Sequence, residues 1–90
     1  MISTQWIECM ADSLAKHGLD EQAVATLRLA YPQYHFTYCT DDDVPPRLTP
    51  VSQREKFRVY MVDNSNHCVA FTPDPEAATG LVLAAVAEDD

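Results

Sequence analysis

Apolar residues recur at Ile7, Met10, Ala11 and Leu14, the three-and-four spacing that lays one stripe along a helix, with Trp6 on a flank of that stripe. Ser3 or Thr4 stands where a cap is needed. His17-Gly18-Leu19 then ends the helix: Gly18 suits the left-handed position after a last turn, and Leu19 can fold back as the apolar contact of a Schellman ending. Asp20 caps a second helix through Val24, Leu27 and Tyr31, which Pro32 ends. The pattern predicts two short antiparallel helices.

From Tyr34 to Thr40 aromatic and polar residues alternate, the period of a half-buried strand. Residues 41 to 53 hold Pro45, Pro46 and Pro50 without an apolar period and read as a long exposed loop. Lys56 to Asp63 reads as a second strand and His67 to Thr72 as a third, joined in a hairpin by Asp63-Asn64-Ser65-Asn66. Asp74, Pro75 and Glu76 supply a cap, a proline at the first helical position and an early carboxylate. They predict a last helix through Leu81, Val82 and Val86, with Gly80 permitting its close approach to the sheet.

The expected fold is therefore α+β, in the order α-α-β-β-β-α, with a three-stranded, mainly antiparallel sheet. An N-terminal helical hairpin and a C-terminal helix cover one face of it. In the second strand Phe57, Val59 and Met61 alternate with Lys56, Arg58 and Tyr60, so the odd positions are expected under the helices. Phe36, Tyr38, Val69 and Phe71 join them. The open face is expected to collect His35, Thr37, Cys39, Arg58, Tyr60, Val62, Cys68, Ala70 and Thr72, an apolar mixture for a solvent-facing surface.

Ninety residues make one domain, spanning 1–90, and a composition 47% hydrophobic and 22% charged belongs to a folding chain. Six Lys and Arg against 14 Asp and Glu leave a net charge of -8, which repels phosphate backbones and anionic lipid. Nucleic acid and membrane are set aside as partners. Gly18-Leu19-Asp20 between two helices superficially matches a helix-turn-helix, but the second helix opens on Asp20 and Glu21 and offers only Arg28 to a phosphate. Neither a basic leader nor a long apolar run opens the sequence, so the expected address is the cytoplasm. Cys9, Cys39 and Cys68 are odd in number and not spaced as Cys-x-x-Cys, which signals neither a disulfide framework nor a zinc knuckle. Reduced thiols are expected there.

Chemistry could concentrate where Cys39 runs into Asp41, Asp42 and Asp43. With His35 or His67, or with Cys68 from a neighbouring strand, this set would suit zinc or iron better than calcium. The same residues equally make a small buried thiol followed by a solvated acidic turn. A nucleophilic Cys39 is disfavoured, because adjacent carboxylates oppose the thiolate. Arg54, Lys56 and Arg58 read as a basic stripe that guards a sheet edge or meets a second copy's aspartates.

The run Phe36-Thr37-Tyr38-Cys39 into Asp42-Asp43, with His67-Cys68 and Asp74-Pro75-Glu76-Ala77-Ala78-Thr79-Gly80-Leu81-Val82-Leu83-Ala84, resembles a family of short uncharacterised bacterial proteins encoded in nitrogen-fixation gene clusters. That resemblance implies an accessory to nitrogenase, its cofactor assembly or its electron supply, and carries over no site residues. Together these readings predict a non-enzymatic acidic adaptor without a cofactor. It is expected to bind a protein partner, or a second copy, through Arg58, Tyr60, Val62, Thr37 and Ala70. The alternative is a small metal- or cluster-handling protein using Cys39, Cys68, His35 and the Asp41 to Asp43 turn.

Overall fold

The computed structural model describes residues 2–45, 48–63 and 70–86. Helix α1 spans Thr4–His17, and its N-terminus is closed by Ser3, whose side chain accepts from the Trp6 N–H at 3.3 Å. Ile7, Met10, Ala11 and Leu14 are its buried residues, as the spacing demands. Gly18 adopts a φ of 94° with a ψ of 144°, a conformation reserved for glycine but outside the left-handed helical well of the expected Schellman ending. Asp20 caps helix α2, Glu21–Ala30, accepting from the Ala23 N–H at 2.8 Å. The Trp6 ring meets Tyr31 edge-on at 5.0 Å and Tyr34 at 5.3 Å, pinning the start of α1 to the chain leaving α2.

The sheet differs from expectation in its last element. Strands β1 (His35–Thr40), β2 (Ser52–Gln53), β3 (Phe57–Asp63), β4 (Ala70–Phe71) and β5 (Gly80–Ala85) form one mixed sheet. Its order is β1-β5-β3, with β2 and β4 both pairing with β3. β5 runs parallel to β1 and antiparallel to β3. The expected C-terminal helix is thus an interior strand, and the expected three-stranded antiparallel sheet is a five-stranded mixed one.

Two physical reasons explain the exchange. Leu81 to Val86 is apolar at every position, and such a run has no period to separate a buried helix from a strand covered on both faces. Here both faces are covered: Leu81 and Leu83 enter the core beneath the helices, while Val82 and Ala84 enter a second cluster opposite. The helix-start chemistry at Asp74 is present, but lasts a single turn. The Asp74 side chain accepts from the Glu76 N–H at 3.0 Å, and its carbonyl accepts from the N–H groups of Ala77 and Ala78. The chain then straightens, with the Thr79 N–H bonded to the Val62 carbonyl at 2.9 Å.

The expected hairpin pairs β3 with β4 antiparallel, Val62 opposite Phe71 and Asp63 opposite Ala70. Its turn and the expected residues His67, Cys68 and Val69 lie outside the described residues. This register puts Phe71 on the face of Val62, away from the helices, and Ala70 on the other. It reverses both expectations, since a slip of one residue turns every side chain of a strand over.

Both helices cover one face. Ile7, Met10, Ala11, Leu14 and Val24 pack with Phe36, Phe57, Val59, Met61, Leu81 and Leu83 into a single core, which Ile2 and Ala78 complete. Arg54 ties α1 to the sheet by ion pairs to Glu8 at 2.9 Å and Asp12 at 2.8 Å. These two carboxylates stand four residues apart on one helical face. The Arg54 guanidinium also holds the Glu8 carboxyl below its ordinary value.

Gly80 does permit a close approach, between strands rather than between helix and sheet. A Cβ at Gly80 would lie 2.5 Å from the His35 carbonyl oxygen and 2.8 Å from the His35 Cβ. Its backbone has no positive φ, so alanine would otherwise gain about 0.4 to 1 kcal/mol by restricting the unfolded chain. Separating β1 from β5 costs about 1 to 3 kcal/mol as overpacking, and the clash decides the sign. Gly80→Ala is predicted to lower the urea midpoint; an equal or higher midpoint would show that β1 does not hold its place against β5.

Candidate functional site

The face turned away from the helices carries Tyr60 and Val62 from β3, Val82 and Ala84 from β5, and Cys39 from β1. This face is expected from the sequence to be open, but the segment after β1 folds back over it. Asp41–Asp43 form a short 3-10 turn, closed by the Val44 N–H bonding to the Asp41 carbonyl at 3.1 Å. That turn delivers Val44 and then Leu48 onto the sheet. Tyr60 and Val62 are consequently only 4% and 3% exposed, too buried to meet a partner directly. The two cover residues sit in the proline-rich stretch read as a plain loop, where single apolar side chains without a period gave no signal.

Charge pins the cover in place. Asp41 receives Arg58 Nη1 at 2.9 Å on Oδ2, and the Tyr60 hydroxyl approaches its Oδ1 at 3.4 Å. Thr40 Oγ1 donates to Asp43 at 3.2 Å, while Asp42 stays exposed. The expected basic stripe is therefore divided: Arg54 serves α1, Arg58 serves the acidic turn, and exposed Lys56 is also engaged.

Among the described residues, those considered for a metal do not form one site. Cys39 and His35 share a face, but four strand residues, about 13 Å, separate them. Asp41 is held by Arg58, and Cys68 lies outside the described residues. Among the described residues no group of three or more His, Cys, Asp or Glu side chains could hold a metal ion. The Cys39 thiol is pushed up by its own burial first, and then by the charges of Asp43 and Asp41. Burial likewise raises the Tyr60 phenol, with Asp41 adding to it. Cys39 is thus a thiol at neutral pH and a poor nucleophile.

Where the cover ends, two depressions meet. One, of about 200 Å³, is largely apolar, with Leu48, Tyr60, Met61, Phe71 and Pro73 in its walls. Phe71 is its exposed lip, 39% accessible, with its ring edge-on to Tyr60 at 5.9 Å. The other, of about 450 Å³, is lined by Asp41, Asp42, Val44, Gln53 and Arg58 together with prolines 45 and 50. Leu48 and Tyr60 belong to both and form the ridge between them. Of the interaction residues expected from sequence, Thr37 and Ala70 are exposed, but neither lines either depression.

Both raised groups favour their neutral forms in the fold, so their contribution to stability is complete below the ordinary thiol value of 9.0 and is lost as pH rises through their folded values. In a Cys68→Ser background, exposed Cys9 is predicted to react with a thiol reagent well before Cys39. Reaction of Cys39 at an equal or greater rate would show that the acidic turn does not shield it.

No described helix is long and apolar enough to cross a membrane. A search of the curated proteins found no match, and neither did a search of the solved structures. The family model of DUF6129, described as a family of unknown function, matches residues 9–86, which takes in α2, every strand and the acidic turn. The chain belongs to that family.

Proposed function

We propose that this protein is a non-enzymatic adaptor that captures a short segment of a partner protein at the paired depressions beside Phe71. The observation that carries the reading is their adjacency: an apolar notch large enough for one side chain shares the Leu48 and Tyr60 ridge with a cleft in which exposed Asp42 stands beside the Asp41–Arg58 ion pair. Such a pair fits an apolar anchor followed by Lys or Arg. An apolar anchor in a desolvated pocket supplies most of the binding energy of a small interface. The complementary charge adds rate and register, and a chain of net charge -8 draws basic segments at long range.

A displayed random-peptide library is predicted to enrich sequences that place an aromatic or aliphatic residue beside a cation. Phe71→Ala should weaken the enriched peptides by about tenfold or more, and Asp42→Lys should weaken the cationic ones. Peptides without that pattern, or binding unaffected by both changes, would remove this assignment.

From the sequence resemblance, we further infer a bacterial, cytoplasmic accessory role connected with nitrogen fixation. The acidic surface supports binding of a basic partner. Deleting the gene in a nitrogen-fixing host is predicted to slow growth on dinitrogen but not on ammonium. Equal growth on both would overturn the connection.

A further inference from the structure

β1 is the last strand on its side of the sheet, and among the described residues it pairs with β5 alone. The bond from the His35 N–H to the Thr79 carbonyl, at 3.2 Å, fixes its facing. Residues of a parallel strand bond alternately to the neighbour, so His35, Thr37 and Cys39 turn their backbone groups toward β5. Phe36, Tyr38 and Thr40 turn theirs outward. Arg28 agrees with this parity, since its guanidinium reaches the outward Phe36 carbonyl through Nε at 3.1 Å and Nη2 at 2.9 Å. Among the described residues nothing else guards the edge, and β1 itself carries no proline, no lysine and no bulge.

We propose that this edge pairs with the same edge of a second copy, antiparallel about a two-fold axis at Tyr38, so that one continuous sheet crosses the dimer. Tyr38 then exchanges backbone hydrogen bonds with Tyr38 of the second copy, and Phe36 with Thr40 of the second copy. Charge selects this orientation. Arg28 lies at the Phe36 carbonyl, and the residue opposite Phe36 is followed directly by the Asp41 to Asp43 turn of the other copy, in which Asp42 and Asp43 are exposed. Arg28 passes from the Phe36 carbonyl to those carboxylates, and the Thr40 N–H of the second copy takes its place. Parallel pairing would instead set carboxylates against carboxylates.

Leu29 gives an independent indication. It is 85% exposed, adjacent to Arg28 on the helix that packs over β1. Pairing two β1 strands brings two α2 helices side by side and provides cover for it. This surface shares Asp42 with the cleft beside the Phe71 notch, but the pairing of two β1 strands needs no peptide bound there.

Sedimentation of the full chain over a concentration series, in reducing buffer at low salt, tests the proposal together with hydrogen exchange of the Tyr38 amide. A monomer–dimer equilibrium is expected, with Tyr38 protection rising as the dimer forms. Leu29→Lys changes an exposed position, so the fold should persist while dimerisation weakens by about tenfold or more. Arg28→Glu should weaken it likewise, and adding Asp42→Arg to Arg28→Glu should restore part of it. A monomer at every concentration would sink the proposal. So would a dimer indifferent to Leu29→Lys and Arg28→Glu, or one whose Tyr38 amide exchanges at the monomer's rate.

Discussion

Everything in this fold depends on covering β5 twice. Gly80 to Ala85 lies between β1 and β3, and residues 80–84 are buried, so apolar side chains emerge from both faces of the sheet's interior. Burying a Val or Leu side chain contributes roughly 1.5 to 3 kcal/mol, and leaving Val82 open to water would forgo that. One face receives α1 and α2. Among the described residues, the other receives the segment that follows β1, through Val44 and Leu48. Among the described residues no further α-helix lies on that face, and a loop does the work instead.

Because the cover is a loop, it needs anchors that a helix would not. Arg58 and Asp41 hold its beginning to β3, and the 3-10 turn of the three aspartates sets its direction. This ion pair is partly exposed, so its energetic contribution is modest and its role is mainly geometric. The thin cover ends beside Phe71, and the paired depressions follow from that ending rather than from a purpose-built cavity. Arg54 does for α1 what Arg58 does for the loop. In so acidic a chain, these two cations sit where carboxylates from another element must be drawn onto the sheet.

The topology also explains an otherwise bare edge. Placing β5 in the interior pushes β1 to the rim, where its outward backbone groups have Arg28 as their protein partner among the described residues. A strand buried on one side and unguarded on the other is an invitation to pair. That the same rim carries an exposed leucine, a cation and an acidic turn in order makes self-pairing chemically consistent.

The sequence by itself determined the local elements whose signals close within one turn or one period. Ser3 and Asp20 cap where they stand, Ile7, Met10, Ala11 and Leu14 face inward, and Phe57, Val59 and Met61 point toward the helices. Asp74 likewise starts a turn of helix. What followed it was not legible, because an unbroken apolar run from Leu81 to Val86 is compatible with a helix or a central strand. Only the gap between β1 and β3, with hydrogen-bonding partners on both sides, decides for the strand. The same holds for the candidate site: Asp41, Arg58 and Tyr60 were each visible, but a register slip at β4 exchanged Ala70 for Phe71. Val44 and Leu48 gained their meaning from a cover that no local pattern encodes. Such choices are made by long-range pairing and by burial on both faces, and neither quantity exists until the chain has folded.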